Sequence, residues 1–241
     1  MSDVPVRSLR RRRCYLVRHG HVSYFDAAGR PLDPRSVPLS TKGTEQAQAL
    51  GRTLSEVQID RAVCSDYPRA RQTLDQVLAG RALPICELSG LREIRAGRLR
   101  DIPEPLLHKE VTQAYQIAGE EGSAFLRGEG WRPFQARILA QLNGLLADPD
   151  WDSVLIVSHD AVNRILLAWA TGAGLPGLAA FEQDHACLNV LDIDMDGPRV
   201  VRAWHTNAQE TYVDATGGAV NLLLDAMRAG EGRGDTHTSM P

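Results

Sequence analysis

The sequence is poor in several features that would point to other classes of protein. Its four cysteines, at positions 14, 64, 86 and 187, lie far apart and include no CxxC pair. That spacing argues against a structural zinc site, and three of them fall in apolar, strand-like runs where a reduced core thiol is expected. Basic charge is not in surplus. The formal net charge is -3, whereas duplex nucleic-acid binders carry a pronounced basic excess. One local exception, Arg10–Arg13, reads as a solvated lead-in to the first strand, with an anion-binding or targeting role as the alternative. No apolar stretch approaches the roughly 20 residues that a membrane span requires. The charged N-terminus is not followed by the apolar core of a secretion signal, so a cytoplasmic location is expected. There is no internal repeat.

What is present is ordinary globular material: 241 residues, 43% hydrophobic and 24% charged, enough for one large domain or two small ones. Apolar β-prone runs occur at Cys14–Val17, Arg61–Cys64, Leu83–Leu88, Ser153–Val157, Cys187–Ile193 and Val200–Trp204. Helical patterns separate most of them. Ala47, Leu50, Leu54 and Val57 share one face after a candidate cap at Ser40 or Thr41, and further helices are expected over Tyr67–Ala79, Phe134–Ala147 and the run ending at Gly172. Alternation of this kind predicts an α/β three-layer sandwich, a mostly parallel sheet with helices on both faces. The last two strands, joined by a short turn, are expected to pair antiparallel. Asp101–Gly130 breaks the alternation and reads as a small helical cap insertion of about residues 101–130. The domain is expected to span 1–213, followed by a partly disordered tail, 214–241, with one short helix candidate at Ala219–Met227.

The polar residues gather where three strands end. The first strand runs into Arg18-His19-Gly20, the second into a segment carrying Arg69 and Arg71, and a later one into His159-Asp160. In open α/β sheets ligands bind beyond the carboxyl ends of the strands. Arginine forks suit a phosphoryl group, a neutral histidine can attack phosphorus, and a second histidine can donate to a phosphoryl oxygen. Glu93, in LREIRAG, supplies a carboxylic acid for the leaving oxygen. Together these form a phosphoryl-transfer set that needs no metal, the Arg/His cage neutralising the charge on the equatorial oxygens.

The same residues lie in five ordered segments. RHG at the end of the first strand, PLSTKG (Pro38–Gly43), CSDYPRARQT with Ser65, Arg69, Ala70 and Thr73, LREIRAG with Glu93 and Gly97, and VSHDAVNR with His159 and Arg164 follow one another. This series resembles the histidine phosphatase superfamily, in particular its phosphoglycerate mutase-like branch, over about residues 13–207. The resemblance implies hydrolysis of a phosphomonoester through a phosphohistidine on His19, with Glu93 as general acid and Arg18, Arg69 and His159 binding phosphate. No cofactor and no metal are implied.

Several readings stay open beside this one. Asp160 is a rival acid, as in the acid phosphatase branch, or a helix cap or substrate contact. His21 departs from the acidic residue often found after RHG and is a candidate substrate contact, as is Tyr24 on the same loop. Arg71 is expected to be surface charge, and the four tryptophans packing anchors. Mutase-type phosphoryl transfer and a non-catalytic phospho-ligand-binding role are the alternative functions, and a metal-dependent hydrolase built on His19, His21 and His159 is a third. The HVSYFD continuation of RHG favours hydrolysis over the mutase. The expected partner is a phosphorylated small molecule rather than nucleic acid or membrane, with homodimerisation left open.

Overall fold

The computed structural model describes residues 11–194 and 199–206. The tail expected over 214–241, with its short helix candidate at Ala219–Met227, lies outside the described residues. Six strands form one sheet in the order β3-β2-β4-β1-β5-β6. They are β1 (Arg11–Arg18), β2 (Arg61–Cys64), β3 (Ile85–Glu87), β4 (Ser153–Ser158), β5 (Leu188–Asp194) and β6 (Arg199–Thr206). The first four are mutually parallel, while β5 is antiparallel to β1 and β6 antiparallel to β5. The antiparallel pairing expected of the last two strands is therefore present.

Alternation along the strands builds the layers, because successive side chains point to opposite faces. Tyr15 and Val17 of β1, with Leu155 and Val157 of β4, pack on α1 (Thr41–Thr53) and α2 (Pro68–Leu78). Cys14 and Leu16, with Val154 and Ile156, pack on α4 (Trp131–Ala147) and α5 (Asp160–Thr171) on the other face. Cys14, Cys64 and Cys187 are buried free thiols, and burial pushes each up to about 12. β3 is shorter than the apolar run Leu83–Leu88 suggests and is exposed throughout. It lies at the sheet edge, and Pro84 before it has no N–H to give.

The arginine run is not a solvated lead-in. β1 already begins at Arg11, and Arg12 is buried, donating to the carbonyl of Leu146 with its guanidinium 4.7 Å from the Trp151 ring. Arg13 pairs with Asp192 at 2.7 Å. Strand alternation puts the long stem of Arg12 on the core side, where its head finds a carbonyl and an aromatic face.

Between β3 and α4, residues 101–130 carry α3 (Glu104–Thr112) and short 3₁₀ turns. Ile102, Val111, Ala114 and Leu126 give this segment its own small apolar cluster. Arg127 clamps it by pairing with Glu110. The segment docks through Gly97, whose N–H donates to Leu126 at 3.0 Å. A Cβ there would lie 2.5 Å from the same carbonyl.

Candidate active site

Because β1, β2 and β4 are parallel, their carboxyl ends deliver Arg18-His19, Ser65 and His159 to one edge. His19 N–H continues the ladder by donating to the Ser158 carbonyl at 2.9 Å. Arg69 follows Pro68, the residue suited to a first helical position, and so enters the site from the first turn of α2. Thr73, one turn on, accepts from Gly20 N–H at 3.0 Å and donates to the Arg69 carbonyl at 2.7 Å. The RHG loop and the Arg69 helix are thereby tied together. The loop also lies flat against α1, where Gly20 and Gly43 leave no room for side chains: a Cβ on Gly43 would meet the His21 carbonyl at 2.1 Å. Ser40 caps α1, accepting from Gly43 N–H at 3.1 Å.

The hydrogen bonds fix the tautomers, since a guanidinium only donates. Arg69 Nε lies 3.1 Å from Nε2 of His19, so that nitrogen holds a lone pair. The proton of the ring is then on Nδ1, which donates to the Gly20 carbonyl at 2.7 Å. Arg69 Nη2 lies 3.2 Å from Nδ1 of His159. The Nε2–H of His159 therefore donates to Ser65 Oγ at 2.9 Å. Arg69 also donates to the Pro34 carbonyl of the loop before α1. Arg18 donates to the Gln183 carbonyl and, at 3.3 Å, to Nε2 of His185, while its own buried Nε has no partner among the described residues.

These groups are nearly enclosed: His19 is 2% exposed, His159 0%, Arg69 2% and Arg18 6%. Burial, then Arg69, His159 and Arg18, hold His19 well below the usual imidazole range. Burial, then Arg69 and Arg18, do the same to His159. Both rings are neutral in the resting site. Glu93 behaves oppositely. Burial and the neighbouring charge of Asp160 push its carboxyl up to about 7, so it keeps a proton near neutrality. It accepts from the N–H groups of Ile94 at 3.0 Å and Ala161 at 3.4 Å. Arg137 of α4 holds the segment leading to it by donating to the carbonyls of Gly90 and Arg92.

Not every expected contact joins this cluster. Asp160 opens α5 but is taken up by Arg164 at 2.6 Å. His21 hydrogen-bonds Ser40 Oγ at 2.8 Å and packs edge-on against His185, ring centres 5.3 Å apart. Tyr24 is half-buried on the loop, its carbonyl accepting from Leu32, and it shares no hydrogen bond or ring contact with the cluster among the described residues. Arg71 pairs with Asp75 and Glu87 at the surface. No group of three or more His, Cys, Asp or Glu suited to a metal occurs among the described residues. His185, Gln183 and Tyr67 are the residues sequence reasoning missed. Tyr67 lies under Arg69 at 4.8 Å and edge-on to His159 at 5.4 Å.

The arrangement is one of two neutral imidazoles bridged by a guanidinium, a second guanidinium, and a protonated carboxyl. The model of the histidine phosphatase superfamily (branch 1) matches residues 14–206. The chain belongs to the histidine phosphatase superfamily. It is an enzyme of that family, which hydrolyses phosphomonoesters by way of a phosphohistidine. It is 31% identical over 183 residues to the adenosylcobalamin/alpha-ribazole phosphatase of Salmonella typhimurium, covering 75% of this chain and 90% of the relative. A Yersinia pestis protein named "Probable phosphoglycerate mutase GpmB" is 30% identical over 167 residues, 68% of this chain and 76% of its own. The solved alpha-ribazole phosphatase of Shigella flexneri superimposes with a TM-score of 0.65 at 26% identity, covering 83% of this chain and 100% of that one. No helix among the described residues is long and apolar enough to cross a membrane.

Proposed function

We propose that this histidine phosphatase attacks its substrate with Nε2 of His19 and needs no metal to do so. The observation that carries the reading is the hydrogen-bond pair on His19. Gly20 takes the Nδ1 proton and Arg69 selects the lone pair at Nε2, which is the state a nucleophile requires. An entering phosphoryl group offers Arg69 charged oxygens in place of a ring nitrogen and the Pro34 carbonyl. Arg69 then turns to the phosphate and the lone pair is released. Arg18 and His159 complete the cage, the arginine by its charge and the neutral imidazole as a hydrogen-bond donor, both directed at the equatorial oxygens.

Glu93 is the general acid of this scheme. A carboxyl held near 7 is protonated in about half of the molecules at neutral pH and in most below it; it can pass that proton to the departing alkoxide, then take one from the water that cleaves phosphohistidine. Asp160 is not the acid, because Arg164 already claims its carboxylate. For substrate we propose a phosphomonoester of a nucleoside-like alcohol, the class named for the alpha-ribazole phosphatases it resembles. The test is hydrolysis of p-nitrophenyl phosphate and alpha-ribazole 5′-phosphate in excess EDTA, by wild type and His19→Ala. Metal-free turnover that disappears in the variant supports the reading; turnover abolished by EDTA contradicts it.

A further inference from the structure

One buried charge next to the site has no task in this scheme. Asp160 is 6% exposed and immediately precedes Ala161, whose N–H donates to Oε2 of Glu93 at 3.4 Å. Two carboxyl groups thus approach the same first turn of α5. They are treated differently. Asp160 accepts from Arg164 Nε at 2.6 Å in an ion pair with both side chains buried. Arg164 is itself pinned, donating to the Leu178 carbonyl at 2.9 Å and lying 4.1 Å over the Tyr115 ring. Glu93 forms no ion pair among the described residues; it accepts only from backbone N–H groups.

We propose that Asp160 is a positioning residue for the proton: held in its ion pair with Arg164 at the first turn of α5, it keeps the proton on Glu93 until the leaving oxygen takes it. This rests on the reading of Glu93 as general acid. A carboxylate beside a second carboxyl group disfavours ionisation of that second group, and of the two it is Asp160 that stands in an ion pair, with Arg164. The charged groups that act on Glu93 are Asp160 on α5, Arg69 on α2 and Arg18 on β1, and Glu93 acts in turn on Tyr115 of the 101–130 segment. Arg69, Arg18 and the N-terminus of α5 favour the ionised form. Asp160 opposes them, in the same direction as burial.

The test compares Asp160→Asn and Asp160→Ser with wild type and Glu93→Gln. Serine is included because it is also well suited to a helix start, so that two different neutral side chains report on the same charge. For each, kcat/KM is followed against pH with an alkyl phosphomonoester, whose leaving alkoxide needs a proton, and with p-nitrophenyl phosphate, whose leaving phenolate does not. Removing the charge is expected to move the alkaline limb for the alkyl ester down by about one pH unit, the size of a close like-charge effect. Turnover of p-nitrophenyl phosphate should change little. An unmoved limb with both rates lowered equally would make Asp160 merely structural and overturn the proposal. Alkyl-ester turnover lost in the Asp160 variants but kept in Glu93→Gln would make Asp160 the acid, and would overturn the underlying reading as well. Alkyl-ester turnover lost in Glu93→Gln beside an unmoved limb in the Asp160 variants would leave that reading standing and this proposal refuted.

Discussion

Arg69 donates from Nε to Nε2 of His19 across 3.1 Å. A cation therefore holds, in the resting site, the lone pair on which attack depends. The same guanidinium reaches His159 from Nη2, so one side chain reads the protonation state of both rings.

Arg69→Lys tests this bridge. A lysine keeps the charge but is a point donor without a planar fork. It cannot serve two imidazoles and then a phosphoryl group in the same plane. Steady-state kinetics should show kcat/KM reduced by roughly 10²–10³, the scale for losing a preorganised charge-stabilising donor.

The pH profile follows from the two opposed shifts. His19 lies well below the ordinary imidazole value, so it is already neutral at pH 6.5 and activity should persist below that pH. Glu93, pushed up to about 7, is in its acid form below that value and loses its proton above it. With an alkyl phosphomonoester, kcat should accordingly fall as pH rises through about 7.

Glu93→Gln should separate stability from activity. A folded-state value raised above the unfolded one means that ionised Glu93 destabilises the native state. The cost is absent below the unfolded value near 4.5, grows up to about 7 and is constant above. Urea unfolding at pH 8 should find the variant about 1–3 kcal/mol more stable than wild type, from the linkage of pKa to free energy. The gain should shrink toward zero as pH falls to 4.5, and kcat for an alkyl ester should drop about 10²–10⁴-fold.

Gly43→Ala tests the seat of the catalytic loop. Its Cβ would lie 2.1 Å from the His21 carbonyl and 2.8 Å from the His21 nitrogen, both backbone atoms that cannot swing aside. Thermal unfolding should show a loss of about 1–3 kcal/mol, the usual scale for overpacking. Activity should fall with it, because the displaced loop carries His19.

Much of this was legible in the sequence. Strand-end placement and order were enough to bring Arg18, His19, Arg69, His159 and Glu93 to one edge. Ser65 and Thr73 acquire a physical role only in the structure, as the acceptor for His159 and the tie between Gly20 and α2. His185 was not visible because its position depends on a pairing no local pattern shows. β5 runs antiparallel to β1, so its first residues lie beside the last residues of β1, and Ala186 N–H donates to the carbonyls of Arg18 and His19. The chain just before β5 was thus bound to touch the site once that direction was known. Arg12 was misread for a related reason: a charge run hides the alternation that buries every second side chain.

The central claim is a covalent phosphate on His19. Wild type quenched into base during turnover of a radiolabelled phosphomonoester in EDTA should carry label that acid releases and peptide mapping assigns to His19. His19→Ala should carry none. Turnover in EDTA with no label on His19, or label on another residue that survives in His19→Ala, would contradict the account.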